Sequence, residues 1–165
     1  MDAKRKPGLP QPSELLAPER IVLELAAADY EDCMSALVRH LEGRGALTEA
    51  QGETLADALR ERERMAITCI GRGVGLPHAY LPGLPGVLCL FARLARGVAH
   101  GTPDGVPVDL VFLLAGPLRA QRHHLPLLAH IVRLLHGPHL LERLRGADSP
   151  EAVLEAWREA ERLHG

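Results

Sequence analysis

Read from the amino end, the apolar positions of this chain fall first into one short block and then into two helical stripes. Ile21–Leu25 is a compact apolar run of strand length. Asp29 then offers an N-cap, and Cys33, Met34, Leu37, Val38 and Leu41 recur at helical spacing until Gly43 and Gly45 end the pattern. Thr48 and Gln51 have the spacing of a capping box, which opens a second helix through Leu55 and Leu59 to about Arg64. From there the period shortens. Ala66–Ile70 is short and β-branched, and Val87–Leu94 and Val108–Ala115 are almost continuously apolar, as strands covered on both faces must be. Helical spacing returns over Gln121–Leu135, with Leu125, Leu128, Ile131, Val132 and Leu135 on one side. Gly137 and Pro138 break that helix, a short one runs to Arg145, and Ser149-Pro150-Glu151 opens a last one ending near Leu163. This order predicts an α/β domain: a mixed, mostly buried sheet flanked by helices on both faces.

Composition narrows the picture. Residues 1–12 hold three prolines and mixed charge and read as a disordered tail, leaving 13–165 as a single domain. Apolar residues make up 47% of the 165 and aromatics only 3%, so the core is built mainly from Leu, Val, Ala and Ile. A net charge of -2 gives no basic footprint for nucleic acid. Cys33, Cys69 and Cys89 are scattered without CxxC spacing, as expected of reduced thiols in a cytoplasmic protein. The basic start runs into Pro and Gly instead of an apolar signal segment, and no run is long enough to span a bilayer, so no membrane insertion is expected.

The segment richest in chemistry is Gly71-Arg72-Gly73-Val74-Gly75-Leu76-Pro77-His78. Its glycines allow close backbone approach to an anion, and Gly71, Gly73, Val74 and Gly75 are the candidate phosphate-binding loop. Pro77 stiffens the stem of His78, whose imidazole is available in neutral form near pH 7 to attack phosphorus. The spacing is GxGxG, which fails the dinucleotide fingerprint, and no GxxxxGK[ST] occurs. On local residues alone, a glycine-rich turn bearing a surface histidine remains the plainer reading.

Longer motifs change that balance. Arg62-Glu63, the stretch Thr68-Cys69-Ile70-Gly71-Arg72-Gly73-Val74-Gly75-Leu76-Pro77-His78, and Pro107-Val108-Asp109-Leu110-Val111-Phe112-Leu113-Leu114 follow one another in order, preceded by Glu14-Leu15-Leu16 and Pro18-Glu19. Together they resemble the enzyme IIA domain of the bacterial phosphotransferase system, in its fructose/mannitol/nitrogen-regulatory class. The resemblance implies that His78 is the phosphorylated histidine, that Arg62 is the active-site arginine and that His124 is the second active-site histidine, with His123 one residue away. It implies a phosphoryl donor of the histidine phosphocarrier type (HPr or its nitrogen-branch counterpart), a IIB domain or a regulatory target as the next partner, and no cofactor or metal. Against the family pattern, Cys69 stands where Gly is usual, Ile67 where Ser is common and Gly75 where Ala is common. These departures motivate the alternative: a regulatory binding module that keeps the fold and does not transfer phosphate.

The remaining features have plain explanations. Nine histidines suggest metal, but there is no HExxH, and His124, His130 and His136 do not share one tight helical face. Arg60 to Arg64, alternating in charge, is by default a solvated helix end, and Trp157 is expected to pack.

Overall fold

A computed structural model describes residues 8–164, apart from the side chain of His123. Its centre is a pair of long antiparallel strands, β5 (Leu88–Val98) and β6 (Val108–Gly116). Alternation along β6 sends Leu110, Phe112 and Leu114 into one core and Val111, Leu113 and Ala115 into another. β5 does the same with Cys89 and Phe91 against Leu90, Ala92 and Leu94. Both faces therefore need a cover, which explains why these strands carry almost no polar side chains.

The other strands are β1 (Ile21–Leu25), β2 (Cys69–Gly71), β3 (Val74–Gly75) and β4 (His78–Tyr80). The six form one mixed sheet, ordered β1-β5-β6-β3-β2, with β4 on the same side of β6 as β3 but further along it. β1 lies parallel to β5, both β3 and β4 parallel to β6, and β2 antiparallel to β3. The helices are α1 (Pro12–Leu15), α2 (Tyr30–Gly43), α3 (Glu49–Met65), α4 (Gln121–Leu135), α5 (Pro138–Gly146) and α6 (Pro150–His164). α2 and α3 cover one face, while α4, α5 and α6 cover the other around Trp157, whose ring meets Phe112 edge-on. The expected fold class is present.

Local signals place most boundaries. Asp29 caps α2 by accepting from the Asp32 N–H at 2.7 Å, and Thr48 and Gln51 cap α3 reciprocally. Ser149 accepts from the Ala152 N–H at the start of α6. Two expectations need correction. Ala66–Thr68 is not strand: the Ala66 N–H closes α3 on the Arg62 carbonyl, and Thr68 is bound back to Glu63, so β2 starts only at Cys69. The stretch read as a glycine loop also contains β3 and β4, which are too short to show a period. Of the expected tail, residues 1–7 lie outside the described residues. Leu9, by contrast, packs against the core, and Gln11 bonds His130 at 2.7 Å. No described helix is long and apolar enough to cross a membrane.

Candidate functional site

His78 opens β4 opposite Leu114 of β6. The backbone around it is anchored on both sides. Leu76 N–H donates to Thr68 O, Leu114 N–H to Pro77 O and Leu81 N–H to Gly116 O, all at 2.9–3.0 Å. The Pro77 stem is thus built into the sheet. The half-buried ring turns its Nδ1 to the Leu76 carbonyl at 2.8 Å. A carbonyl can only accept, so Nδ1 carries the hydrogen and Nε2 holds the lone pair. Burial lowers the pKa of His78; the Leu76 carbonyl opposes that, Arg62 adds to it and Glu63 opposes it. The net result keeps the ring neutral near pH 7.

The ring faces an open cleft of about 490 Å³ between α3 and α4. From α3 come Ala58, Arg62 and Met65, one stripe at helical spacing; from α4 come Gln121 and Leu125; from β4 come His78 and Tyr80. The Arg62 side chain has no ion pair or hydrogen bond among the described residues, so its guanidinium is free to meet an anion. Met65 and Leu125, each 73% exposed, form an apolar rim.

His124 lies behind His78. It is 1% exposed, and its ring centroid is 6.0 Å from that of His78 and 4.3 Å from that of Tyr80, edge-on to the latter. Neither ring nitrogen has a partner among the described residues. Burial, helped by His78, pushes its pKa down to about 4. Three of the expected site residues, Arg62, His78 and His124, therefore converge, and of the two neighbouring histidines His124 is the one that packs beside His78.

The expected phosphate loop does not converge with them. Val74 pairs with Leu110 whereas His78 pairs with Leu114, four strand residues further on, or about 13 Å. Gly71, Arg72 and Gly73 make a left-handed turn at φ 84°, 58° and 80°. That turn is already filled: Arg72 N–H donates to Asp104 at 2.7 Å, and a Cβ on Gly73 would sit 2.6 Å from an Asp109 oxygen. Arg145 of α5 grips Asp109 through two N–H groups at 2.9 Å and also donates to the Arg72 carbonyl. The turn's Arg72 N–H and the space beside Gly73 are already taken by Asp104, Asp109 and Arg145, so these glycines serve the hairpin. Gly75 serves packing, since a Cβ there would lie 2.6 Å from the buried Tyr30 hydroxyl.

Sequence reasoning missed two contributors. The Glu63 side chain, only 7% exposed, accepts from the Thr68 N–H and hydroxyl and from His100 at 3.0 Å, fixing the chain between α3 and β2. Tyr80 shares a strand face with His78, a relation that is visible only once His78–Tyr80 is known to be a strand. Among the described residues no three His, Cys, Asp or Glu side chains converge as metal ligands would.

Residues 14–159 match the family model of the phosphoenolpyruvate-dependent sugar phosphotransferase system, EIIA 2. The chain belongs to this family. This EIIA chain is 36% identical over 142 residues to a nitrogen regulatory protein of Bradyrhizobium diazoefficiens, covering 86% of the chain and 90% of that relative. It is 29% identical to part of the fructose-specific EIIABC component of Bacillus subtilis, covering 87% of the chain but 22% of that longer protein. Among solved structures, the nitrogen regulatory protein IIA-Ntr of Neisseria meningitidis superposes with a TM-score of 0.79 at 28% identity, over 88% of this chain and 97% of that one. The EIIA fold is also that of IIA mannitol from Escherichia coli, at a TM-score of 0.71, 23% identity, and 86% and 98% coverage. A phosphocarrier or regulatory role of the phosphotransferase system follows from this membership.

Proposed function

We propose that this EIIA chain accepts a phosphoryl group on Nε2 of His78 from HPr or its nitrogen-branch counterpart. It then passes the group to a IIB domain or presents it as a regulatory signal. The observation that carries this reading is the pairing of Nδ1 with the Leu76 carbonyl, which leaves Nε2 as the nucleophile in a cleft shared with Arg62. In the transfer, the Nε2 lone pair attacks phosphorus and the donor's N–P bond breaks, the bonding pair leaving with the donor imidazole. The ring of His78 becomes a phosphorylated imidazolium, whose Nδ1–H stays hydrogen-bonded to the Leu76 carbonyl. Arg62 offsets charge on the equatorial oxygens, and little beyond positioning and charge is required. The apolar rim of Met65 and Leu125 suits docking of a carrier protein around the reacting histidine. One structure sharing this fold at 21% identity is a complex of IIA mannitol with phosphorylated IIB mannitol from Escherichia coli, which makes a IIB domain a reasonable acceptor.

The names of the more similar relatives favour the regulatory branch. The second reading, a binding module without transfer, draws on the distance between the glycine turn and the cleft, which leaves fewer phosphate donors than expected. Incubation with enzyme I, HPr and labelled phosphoenolpyruvate separates the two. Acid-labile, base-stable label that disappears in His78→Ala is the expected result. An unlabelled wild-type protein would leave the binding module.

A further inference from the structure

His124 presents a physical difficulty. A buried imidazole ordinarily has its rotation fixed by a hydrogen bond on at least one nitrogen, yet here both nitrogens are buried and unpartnered among the described residues. Its orientation must come from packing. The neighbours able to supply it are Gly116, where a Cβ would lie 3.5 Å from Nδ1, and the ring of Tyr80, perpendicular to His124 within 6° and 4.3 Å away between centroids. Edge-to-face contacts of this kind are directional, so the phenol ring defines the plane of the imidazole as well as its position. β4 ties the arrangement to the reacting residue, because His78 and Tyr80 project from the same face of one short strand pinned at both ends. Tyr80 also lines the cleft and is close enough to Arg62 for the guanidinium to act on its phenol.

We propose that Tyr80 is a positioning residue of the phosphoryl site: its ring clamps the His124 imidazole beside His78, so that a phosphoryl group arriving on His78 meets a hydrogen-bonding partner already in place. An unphosphorylated His124 pays the desolvation of two nitrogens, and the incoming oxygens satisfy one of them. Without the clamp, the ring turns toward the cleft and water, and the site loses its preorganisation.

This inference rests on the phosphoryl-transfer reading of the cleft, so the test has one readout that needs no transfer. NMR of the unphosphorylated protein follows the His124 ring signals against pH in the wild type and in Tyr80→Phe, Tyr80→Leu and Tyr80→Ala. The expected result is a low His124 midpoint in the wild type and Tyr80→Phe, and a midpoint rising toward the ordinary histidine value in Tyr80→Ala. Tyr80→Leu keeps apolar bulk without a flat ring, so it reports even if the alanine variant folds poorly; it should shift the His124 ring signals. The second readout is transfer from phosphorylated HPr. Tyr80→Phe should match the wild type, and Tyr80→Ala should be slower by about ten- to a hundredfold. In a His124→Ala background, Tyr80→Ala should change the rate by no more than about twofold, since the two residues act as one unit. The proposal is overturned if the leucine and alanine variants leave His124 unchanged, if Tyr80→Phe is as slow as Tyr80→Ala, or if the full alanine loss persists without His124. A wild-type protein that takes no label defeats the transfer reading, and the clamp is then judged on the His124 signals alone.

Discussion

At the scale of single residues, the cleft presents the His78 ring and the Arg62 guanidinium, with the buried His124 imidazole behind His78, and the proposed transfer gives each a separable role. The Arg62 guanidinium is exposed and unpaired among the described residues, so its removal leaves no buried charge and no broken network. Arg62→Ala should therefore keep the fold, by circular dichroism and urea midpoint, while slowing phosphoryl transfer by roughly one to two orders of magnitude. Transfer kinetics that do not change would remove Arg62 from the site. Its neighbour in sequence has the opposite character. Glu63 is buried and bound to Thr68 and His100, and its work is structural. Adjacent residues of one charged helix end thus divide into a site group and a scaffold group, because successive helix positions point about 100° apart.

At the scale of elements, α3 matters most because it carries Arg62 near its end and is held at its start by a two-way cap. Thr48 and Gln51 exchange hydrogen bonds at 3.0 and 3.1 Å, and Gln51 also donates to the Gly83 carbonyl in the loop beyond β4. Loss of the cap oxygen in Thr48→Ala should destabilise the protein by about 1 kcal/mol, read as a lower urea midpoint with unchanged slope. The rate of His78 labelling should stay at the wild-type value, since the first turn of α3 lies away from the cleft. A drop in labelling without a drop in stability would contradict that separation. The α5 helix plays a corresponding part at the other end of the sheet. Through Arg145 it fastens the turn Gly71–Gly73 to Asp109, the aspartate of the strand motif. That turn serves hairpin closure, which frees the cleft from depending on it.

At the scale of the whole molecule, stability should carry the signature of a histidine buried in its neutral form. His124 is pushed down to about 4 in the folded chain and returns to about 6.5 when the chain unfolds. Stability from this source is complete above the unfolded value and is lost as the pH falls from there toward the folded value, because only the unfolded chain takes up the proton. The slope approaches ~1.4 kcal/mol per pH unit for one such group. His78, shifted in the same direction, adds to the effect. Urea midpoints should fall between pH 7.5 and pH 5, and the fall should be smaller in His124→Ala, whatever that variant loses at pH 7.5. An equal fall in both proteins would mean that His124 is not the group responsible.

The chain's own pattern determined the order and caps of the main helices, the two central strands and the stiff stem before His78, because these depend on neighbours within a few residues: 3.6-residue stripes, an Asp or Thr three positions before its amide, a proline. It took the longer family motifs to single out His78 itself. The family motifs added Arg62 and His124, which lie far apart in the chain. Only the tertiary structure decided where the glycines went. Whether a left-handed turn meets a phosphate or a pair of aspartates depends on which distant residues fold onto it, and Asp104, Asp109 and Arg145 are all more than 30 positions away. The same holds for β3 and β4, whose two and three residues show no period until β6 supplies the hydrogen bonds that make them strands. Tyr80 became part of the site by that route, since a shared strand face is a property of the pairing partner as much as of the segment itself.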